Sequence, residues 1–217
     1  MNPTTEGDTM SMSLSMKLLY SAASPYARKV RVLAHELGLS DEIEVVTAAV
    51  SPIETNTDVA ARNPLAKVPT LNLADGTALY DSRVICDYLM TLKPAQPMQP
   101  ATGAERWAVQ CRHALADGIL DAALLARYEE ALRPAELRWP AWQAGQEDKI
   151  LRGIAQLESE TAAFGEAPRI DTIAVACALG YLDLRFGRLA WREQAPKLAA
   201  FYEGFAARPS MQTTKPG

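Results

Sequence analysis

The chain has 217 residues, which predicts one or two compact domains, and its 48% hydrophobic and 22% charged residues are typical of an ordinary globular protein. The net charge of −4 argues against a nucleic-acid partner, because a phosphate backbone rewards a basic surface. The longest apolar run, over residues 173–182, has about ten residues and is too short to span a bilayer, so no membrane partner is expected.

Residues 1–15 are polar and small, and they lack the basic start and apolar core of a secretory signal. They predict a disordered N-terminal extension, or an upstream start before a natural start near Met16. Met10 and Met12 are further candidate starts, and the sequence does not choose between them and Met1.

The segment 16–92 alternates between strand-like and helix-like patterns. It predicts an α/β domain in which a βαβ unit precedes a ββα unit, with a hairpin around Gly76. The strands are expected at 16–20, 43–50, 68–72 and 78–80, and the helices at 24–37 and from 81 to about 90.

Three prolines, Pro94, Pro97 and Pro100, predict a linker over residues 93–100, because they cannot continue a helix. Beyond it, residues 101–217 carry no clear strand pattern and predict an all-helical C-terminal domain. Its helices are expected at 103–132, 142–164, 171–186 and 196–208.

Cysteine and histidine usage limits the chemistry of the chain. Cys86, Cys111 and Cys177 are odd in number, far apart and without a CxxC motif. This argues against a disulfide framework and a zinc cluster, and it fits a reducing cytoplasm. Only two histidines, His35 and His113, are present, so no metal is expected.

Ser24 and Pro25 open the first predicted helix. One interpretation is that Ser24 only caps this helix, because Ser suits the N-cap and Pro suits N1. The other interpretation is that Ser24 helps to bind an anion, because the free N–H groups and partial positive charge of a helix N-terminus stabilise negative charge. If the anion is a thiolate, the thiol pKa must be lowered by ~2 units, which takes about 2.7 kcal/mol. The helix end supplies at most ~2 kcal/mol and a hydrogen bond to the charged sulfur roughly 1.5–3 kcal/mol, so together they suffice.

A second segment, N-P-L-A-K-V-P at 63–69, is a candidate binding loop. A residue before proline favours an extended backbone, which leaves Val68 open to pair with a ligand strand, and Lys67 could hold a carboxylate. The alternative is a plain loop in which Pro69 follows a trans peptide bond.

A third segment, Asp81-Ser82, has two interpretations as well. It is either an ordinary helix N-cap pair or a site for an amino-acid head group, with Ser82 on the carboxylate and Asp81 on the ammonium.

Taken in this order, the segments resemble those of the cytosolic glutathione transferases. The resemblance covers roughly residues 16–214 and implies a thioredoxin-like first domain, a helical second domain, a homodimer, and glutathione bound mainly by the first domain. The matching runs are S-P-Y-A-R-K-V-R at 24–31, N-P-L-A-K-V-P at 63–69, D-S at 81–82 and A-C-A-L-G-Y-L-D at 176–183.

The resemblance is to the serine-type, bacterial-like members, and it implies that Ser24 stabilises the thiolate of glutathione. It further implies Lys67 on the glycyl carboxylate, backbone bonds from Val68 to the cysteinyl unit, and a cis bond before Pro69.

The same resemblance places Asp81 and Ser82 at the γ-glutamyl end of glutathione. The segment at 24–27 lacks both cysteines of the glutaredoxin-like relatives, so thiol–disulfide exchange is not expected.

An electrophile pocket is expected between the two domains, with Tyr26, Trp107, Cys111 and His113 as candidate lining residues. For each of these four residues, core packing on a helix is the alternative.

Two further features bear on the helices. Arg28, Lys29 and Arg31 make the first helix basic, and most such charges are expected on the solvated surface. The family's Ser/Thr-x-x-Asp box is absent at Arg169 and Thr172, so Asp171 is the candidate cap there.

These observations predict a cytoplasmic transferase that conjugates the glutathione thiolate to hydrophobic electrophilic small molecules in detoxification. The alternatives are a glutathione-binding module with little turnover and a dedicated glutathione-dependent isomerase or thioether-cleaving enzyme of the same fold.

Overall fold

The computed structural model describes residues 16–216, so the extension predicted at 1–15 lies outside the described residues. The strands are β1 Met16–Tyr20, β2 Ile43–Thr47, β3 Thr70–Asn72 and β4 Ala78–Leu79. The helices are α1 Pro25–Glu36, α2 Thr57–Ala60, α3 Ser82–Leu92, α4 Gly103–Ala131, α5 Pro140–Glu160, α6 Ile170–Arg185, α7 Trp191–Gln194, α8 Pro196–Ala206 and α9 Pro209–Thr213. The predicted fold class, a thioredoxin-like α/β domain followed by an all-α domain, is confirmed.

The sheet of the first domain is mixed, with strand order β2-β1-β3-β4. Strand β1 runs parallel to β2 and antiparallel to β3, and β3 runs antiparallel to β4. The buried side chains of Leu18 and Leu71 lie on residues directly opposite each other in the ladder. This topology brings the end of β1, the start of β3 and the end of β4 to the same edge of the sheet.

Helices α1 and α3 begin at this edge of the sheet. Ser24 is the N-cap of α1 and Pro25 its first residue, and the buried apolar side chains of Val30 and Leu33 fix the helix on the core. Asp81 is the N-cap of α3, where its carboxylate accepts a hydrogen bond from the Arg83 N–H at 2.9 Å. Two helix N-termini therefore face the same edge.

Helix α6 is the centre of the second domain and also packs on α1 of the first. Its side chains from Ile170 to Leu182 are buried, which explains the Ala-rich sequence. Gly180 allows a close approach to α1 and α8, because an added Cβ would lie 2.6 Å from the Arg28 guanidinium and 2.7 Å from the Tyr202 hydroxyl, and these side chains would have to move.

The start of α6 corrects the predicted cap. Asp171 does not cap the helix; its fully buried carboxylate accepts hydrogen bonds from the guanidinium groups of Arg112 and Arg169. Thr172 caps instead, since its Oγ1 accepts from the Arg169 N–H at 2.9 Å and also donates to the Arg169 carbonyl. Half of a capping box is thus formed without the family's usual residues.

Two other expectations differ from the structure. The short helices α2, α7 and α9 span four or five residues each, which is too short for a helical period to show in the sequence. Arg28 and Lys29 are buried, with 7% and 0% exposure, rather than lying on the solvated surface.

Candidate glutathione site at the sheet edge

The three segments singled out in the sequence meet at the sheet edge. Leu19 of β1 lies opposite Thr70 of β3, so the next residues of β1 lead toward Pro69 and Val68. Leu71 of β3 lies opposite Leu79 of β4, so the chain that leaves β4 reaches the same edge with Asp81 and Ser82. The helix that Ser24 caps begins at Pro25, five residues after β1 ends at Tyr20, so its N-terminus points into this region.

Ser24 uses one side of its hydroxyl for the helix and leaves the other free. Its Oγ accepts a hydrogen bond from the Ala27 N–H at 3.2 Å, which is the bond of an N-cap. A hydroxyl also has one proton to donate, and no acceptor for that proton is found among the described residues. The half-buried side chain is therefore able to cap α1 and donate to a ligand at once.

The loop before β3 is held by Asn63, whose role the sequence pattern did not reveal. Its buried side chain donates to the Lys67 carbonyl at 3.0 Å and to Thr70 Oγ1 at 3.2 Å, and it accepts from the Leu65 N–H at 3.1 Å. The Val68–Pro69 peptide bond is cis, as the resemblance implies.

Lys67 and Val68 remain available to a ligand. The Lys67 side chain is exposed, and the half-buried Val68 has no backbone hydrogen-bond partner among residues 16–216. An unpaired N–H and C=O at the start of a strand can bond an extended peptide in the manner of an added strand.

At the start of α3, Asp81 and Ser82 differ in exposure. Asp81 is exposed and caps the helix, whereas Ser82 is buried with 3% exposure at the first helical position. Unlike Ser24, Ser82 therefore adds a hydroxyl to a helix N-terminus that already has a carboxylate cap.

Tyr26 connects this edge to the helical domain. Its hydroxyl donates a hydrogen bond to the Asp121 carboxylate of α4. Burial and this bond to Asp121 raise the pKa of Tyr26 well above its ordinary value, so the phenol stays protonated. The contact fixes which part of α4 lies above the start of α1.

Two of the candidate pocket residues lie elsewhere along α4. At a rise of 1.5 Å per residue, Trp107 and Cys111 precede Asp121 by about 21 Å and about 15 Å along the helix axis. Both are exposed, and Trp107 has 65% exposure. The structure does not bring these two residues together with Ser24 and Tyr26.

The fourth candidate, His113, is buried in a polar cluster between the domains. Its Nε2 accepts a hydrogen bond from Lys29 Nζ at 2.9 Å, and the same ammonium donates to Asp117 Oδ1 at 2.7 Å. Asp117 Oδ2 accepts from Arg83 Nε at 2.8 Å. Burial and the Lys29 charge lower the pKa of His113 to about 4, so its imidazole is neutral near pH 7.

Asp117 is ionised in this cluster. Burial by itself raises the pKa of its carboxyl, but the charge of Lys29 and the hydrogen bonds from Lys29 and Arg83 lower it by more. The pKa of Asp117 therefore falls below its ordinary value.

Neither buried cysteine supplies a thiolate. Burial raises the pKa of Cys86 to about 12 and that of Cys177 to about 11. Within the part of the chain that the structure describes, no group of three or more His, Cys, Asp or Glu side chains is placed to hold a metal ion. No helix of residues 16–216 is long and apolar enough to cross a membrane.

This combination of fold and site defines a two-domain protein with a thioredoxin-like first domain and an all-helical second domain. Residues 23–92 match the family model of the glutathione S-transferase N-terminal domain, and residues 140–204 match that of the C-terminal domain. The chain belongs to the glutathione S-transferase family, as the sequence resemblance predicts.

Individual relatives cover nearly the whole chain. The uncharacterized GST-like protein YibF of Escherichia coli (strain K12) is 34% identical over 206 residues, which are 93% of this chain and 98% of YibF. A glutathione transferase family member from Pseudomonas fluorescens Pf-5, solved with bound glutathione, is 46% identical with a TM-score of 0.92, covering 94% of this chain and all of the other.

Two further structures carry related ligands. The Pseudomonas protein was also solved with bound S-(propanoic acid)-glutathione, with a TM-score of 0.87 and the same coverage. A glutathione S-transferase from Methylobacillus flagellatus KT with bound GSH is 40% identical, has a TM-score of 0.84, and covers 94% of this chain and all of the other.

Proposed function

We propose that this protein is a glutathione transferase in which Ser24 and the N-terminus of α1 hold glutathione as the thiolate. The observation that carries the proposal is the free proton of the Ser24 hydroxyl, whose oxygen already accepts the capping bond from the Ala27 N–H. The thiol proton is released to solvent, and the thiolate attacks an electrophilic carbon, so that a C–S bond forms while the bond to the leaving group (halide, for an aryl halide) breaks and the leaving group departs with the bonding electron pair. The protein contributes ionisation and proximity and forms no covalent intermediate.

The rest of the glutathione molecule is assigned to the same edge of the sheet. The unpaired backbone of Val68 bonds the cysteinyl unit, with Pro69 closing the loop, and the exposed Lys67 binds the glycyl carboxylate. Asp81 takes the γ-glutamyl ammonium and Ser82 its carboxylate. The shared edge of β1, β3 and β4 supports this assignment.

The electrophile is assigned to the space beside Tyr26 and the second half of α4. Asp121, Leu125 and Tyr128 follow one another at spacings of four and three residues, so they lie on one face of that helix, and Leu125 has 45% exposure. We assign these three residues to the pocket in place of Trp107 and Cys111, which lie far from Tyr26 along α4, and of His113, whose ring is buried against Lys29.

The relatives support thioether chemistry rather than disulfide exchange. The Pseudomonas structure with S-(propanoic acid)-glutathione holds a glutathione thioether, which is the class of product that this mechanism gives. We extend the proposal to a homodimer acting in a reducing cytoplasm on hydrophobic electrophiles, in detoxification.

The test compares wild type with Ser24→Ala and Ser24→Gly in a conjugation assay with an aryl halide. Alanine at the cap costs about 1 kcal/mol of stability and glycine only a few tenths, so we expect both variants to fold, while neither has a hydroxyl. We expect both to lose about tenfold or more in conjugation rate, or about 1.4 kcal/mol. Unchanged rates contradict the role of Ser24, and retention on glutathione resin without turnover favours a binding module.

A further inference from the structure

One carboxylate of the helical domain holds both helices that open the proposed glutathione site. Asp117 of α4 is 5% exposed, and its two oxygens serve different partners. Oδ1 accepts from Lys29 on α1 at 2.7 Å, and Oδ2 accepts from Arg83 on α3 at 2.8 Å. The carboxylate therefore bridges two helices that are otherwise separate in the sequence.

Both bridged residues lie within a turn or two of the site. Lys29 follows Ser24 by five residues on α1, and Arg83 is the direct neighbour of Ser82 on α3. The Arg83 N–H also donates to the carboxylate of Asp81, the cap of the same helix. A displacement of the Asp117 carboxylate therefore changes the position of the start of each helix.

The Lys29 side of the bridge is fully buried. Lys29 has 0% exposure and places its ammonium between Asp117 and the acceptor nitrogen of His113, so the buried charge is fully paired. Hydrogen bonds with an ionised partner are short and strong, and in a buried setting they define position as well as energy.

From this geometry we infer that Asp117 is a positioning residue that sets the distance between the thiolate end and the γ-glutamyl end of the glutathione site. The inference rests on the proposed function, since it assigns Ser24 and Ser82 to opposite ends of one ligand. The bound tripeptide then needs no rearrangement of α1 against α3, which lowers the cost of binding.

The experiment measures glutathione affinity by calorimetry and steady-state kinetics with the full chain. We expect Arg83→Gln and Asp117→Asn each to raise the Kd and KM for glutathione by about fivefold or more, with kcat at saturating glutathione nearly unchanged. Arg83→Lys, which keeps the charge and a donor, restores most of the affinity.

Charge alone predicts a different pattern from positioning. Glutathione carries net negative charge, so losing the cation in Arg83→Gln weakens its attraction, whereas losing the anion in Asp117→Asn strengthens it. Positioning predicts weaker binding for both variants. In addition, Arg83→Gln has little further effect when Ser82 is already Ala, because the end that it positions has lost its contact.

The matched control is Arg208→Gln, which breaks another contact between the domains. Arg208 donates to the Glu36 carboxylate at 2.9 and 2.8 Å, at the far end of α1 from Ser24. We expect Arg208→Gln to lower the free energy of unfolding but to leave the Kd for glutathione within about twofold of wild type, because the broken contact is distant from the site.

If wild type binds glutathione and Arg83→Gln binds it with the same Kd, the positioning role is overturned while the proposed function stands. Because the Arg83 side chain is 49% exposed, this variant folds even if Asp117→Asn does not. A wild type that binds no glutathione overturns the proposed function and this inference together.

Discussion

Two helix N-termini in this protein have similar hydroxyl caps but different roles. At the start of α1, Ser24 accepts one bond and keeps a free proton at a half-buried edge. At the start of α6, Thr172 both accepts from and donates to the backbone of Arg169, so its hydroxyl proton is already used.

A free hydroxyl proton distinguishes the cap at the proposed binding site from the cap that is only structural. Both are hydroxyls near unpaired N–H groups, but only Ser24 has unspent hydrogen-bonding capacity at an accessible place. The start of α6 is sealed by a buried ion pair, with Asp171 at 0% and Arg112 at 4% exposure. Substitutions at the two helix starts therefore have different expected effects.

The largest expected effect is on stability at the sealed end. Asp171→Ala leaves the buried Arg112 with Glu160, at 2.9 Å, as its remaining carboxylate, so we expect a loss at the lower end of the about 3–5 kcal/mol that breaking a buried pair costs in unfolding free energy. Urea denaturation measures the loss, and glutathione affinity of the folded variant stays unchanged.

Asp148→Ala is the matched control for this ion pair. Asp148 also pairs with an arginine, Arg152, but their side chains are 62% and 64% exposed, so the expected loss is about 0–1 kcal/mol. Equal losses in the two variants contradict the importance of burial at α6.

The second effect comes from His113 between the domains. In the unfolded chain its imidazole takes up a proton near pH 6.5, whereas in the folded chain burial and Lys29 lower its pKa to about 4. The unfolded state therefore holds more protons in this window, and stability falls as pH is lowered. We expect a loss on the order of 2 kcal/mol between pH 7 and pH 5.

His113→Gln removes the titrating group but leaves an acceptor for Lys29. Urea midpoints of this variant should lose most of the dependence between pH 7 and pH 5. His35→Gln, at the end of α1, keeps the wild-type dependence because the Lys29 contact remains intact. A wild-type midpoint that does not change with pH in this range contradicts the buried neutral imidazole.

The smallest effect compares the two caps directly. Thr172→Val and Ser24→Ala each remove one capping hydroxyl and should cost about 1 kcal/mol of stability. Only Ser24→Ala should slow conjugation, which steady-state kinetics would show. If Thr172→Val lowers activity by the same factor while folded, the two ends do not differ in function.

Much of this molecule followed from local sequence signals. Ser24-Pro25 as a helix start, the hairpin at Gly76 and the apolar periodicity of α1 are set by neighbouring residues, so the order of elements was predictable. The meeting of Val68 and Ser82 at one edge was predictable only through the family resemblance, because it depends on strand order.

The charged residues between the domains were not predictable. Lys29 looks like a surface residue in its own helix, and only Asp117 and His113, 88 and 84 residues later, make its burial affordable. Trp107, predicted from the sequence as a pocket residue, lies exposed on α4, about 21 Å along the helix axis from Asp121.

The most direct test of the central claim is a pH titration of the glutathione thiol bound to the protein, followed by thiolate absorbance in the ultraviolet. In water a thiol titrates near pH 8.5, and we expect the bound thiol of wild type to titrate about 2 units lower. In Ser24→Ala the bound thiol should titrate closer to its value in water. An equal pKa in the two proteins, with glutathione bound in both, contradicts the account.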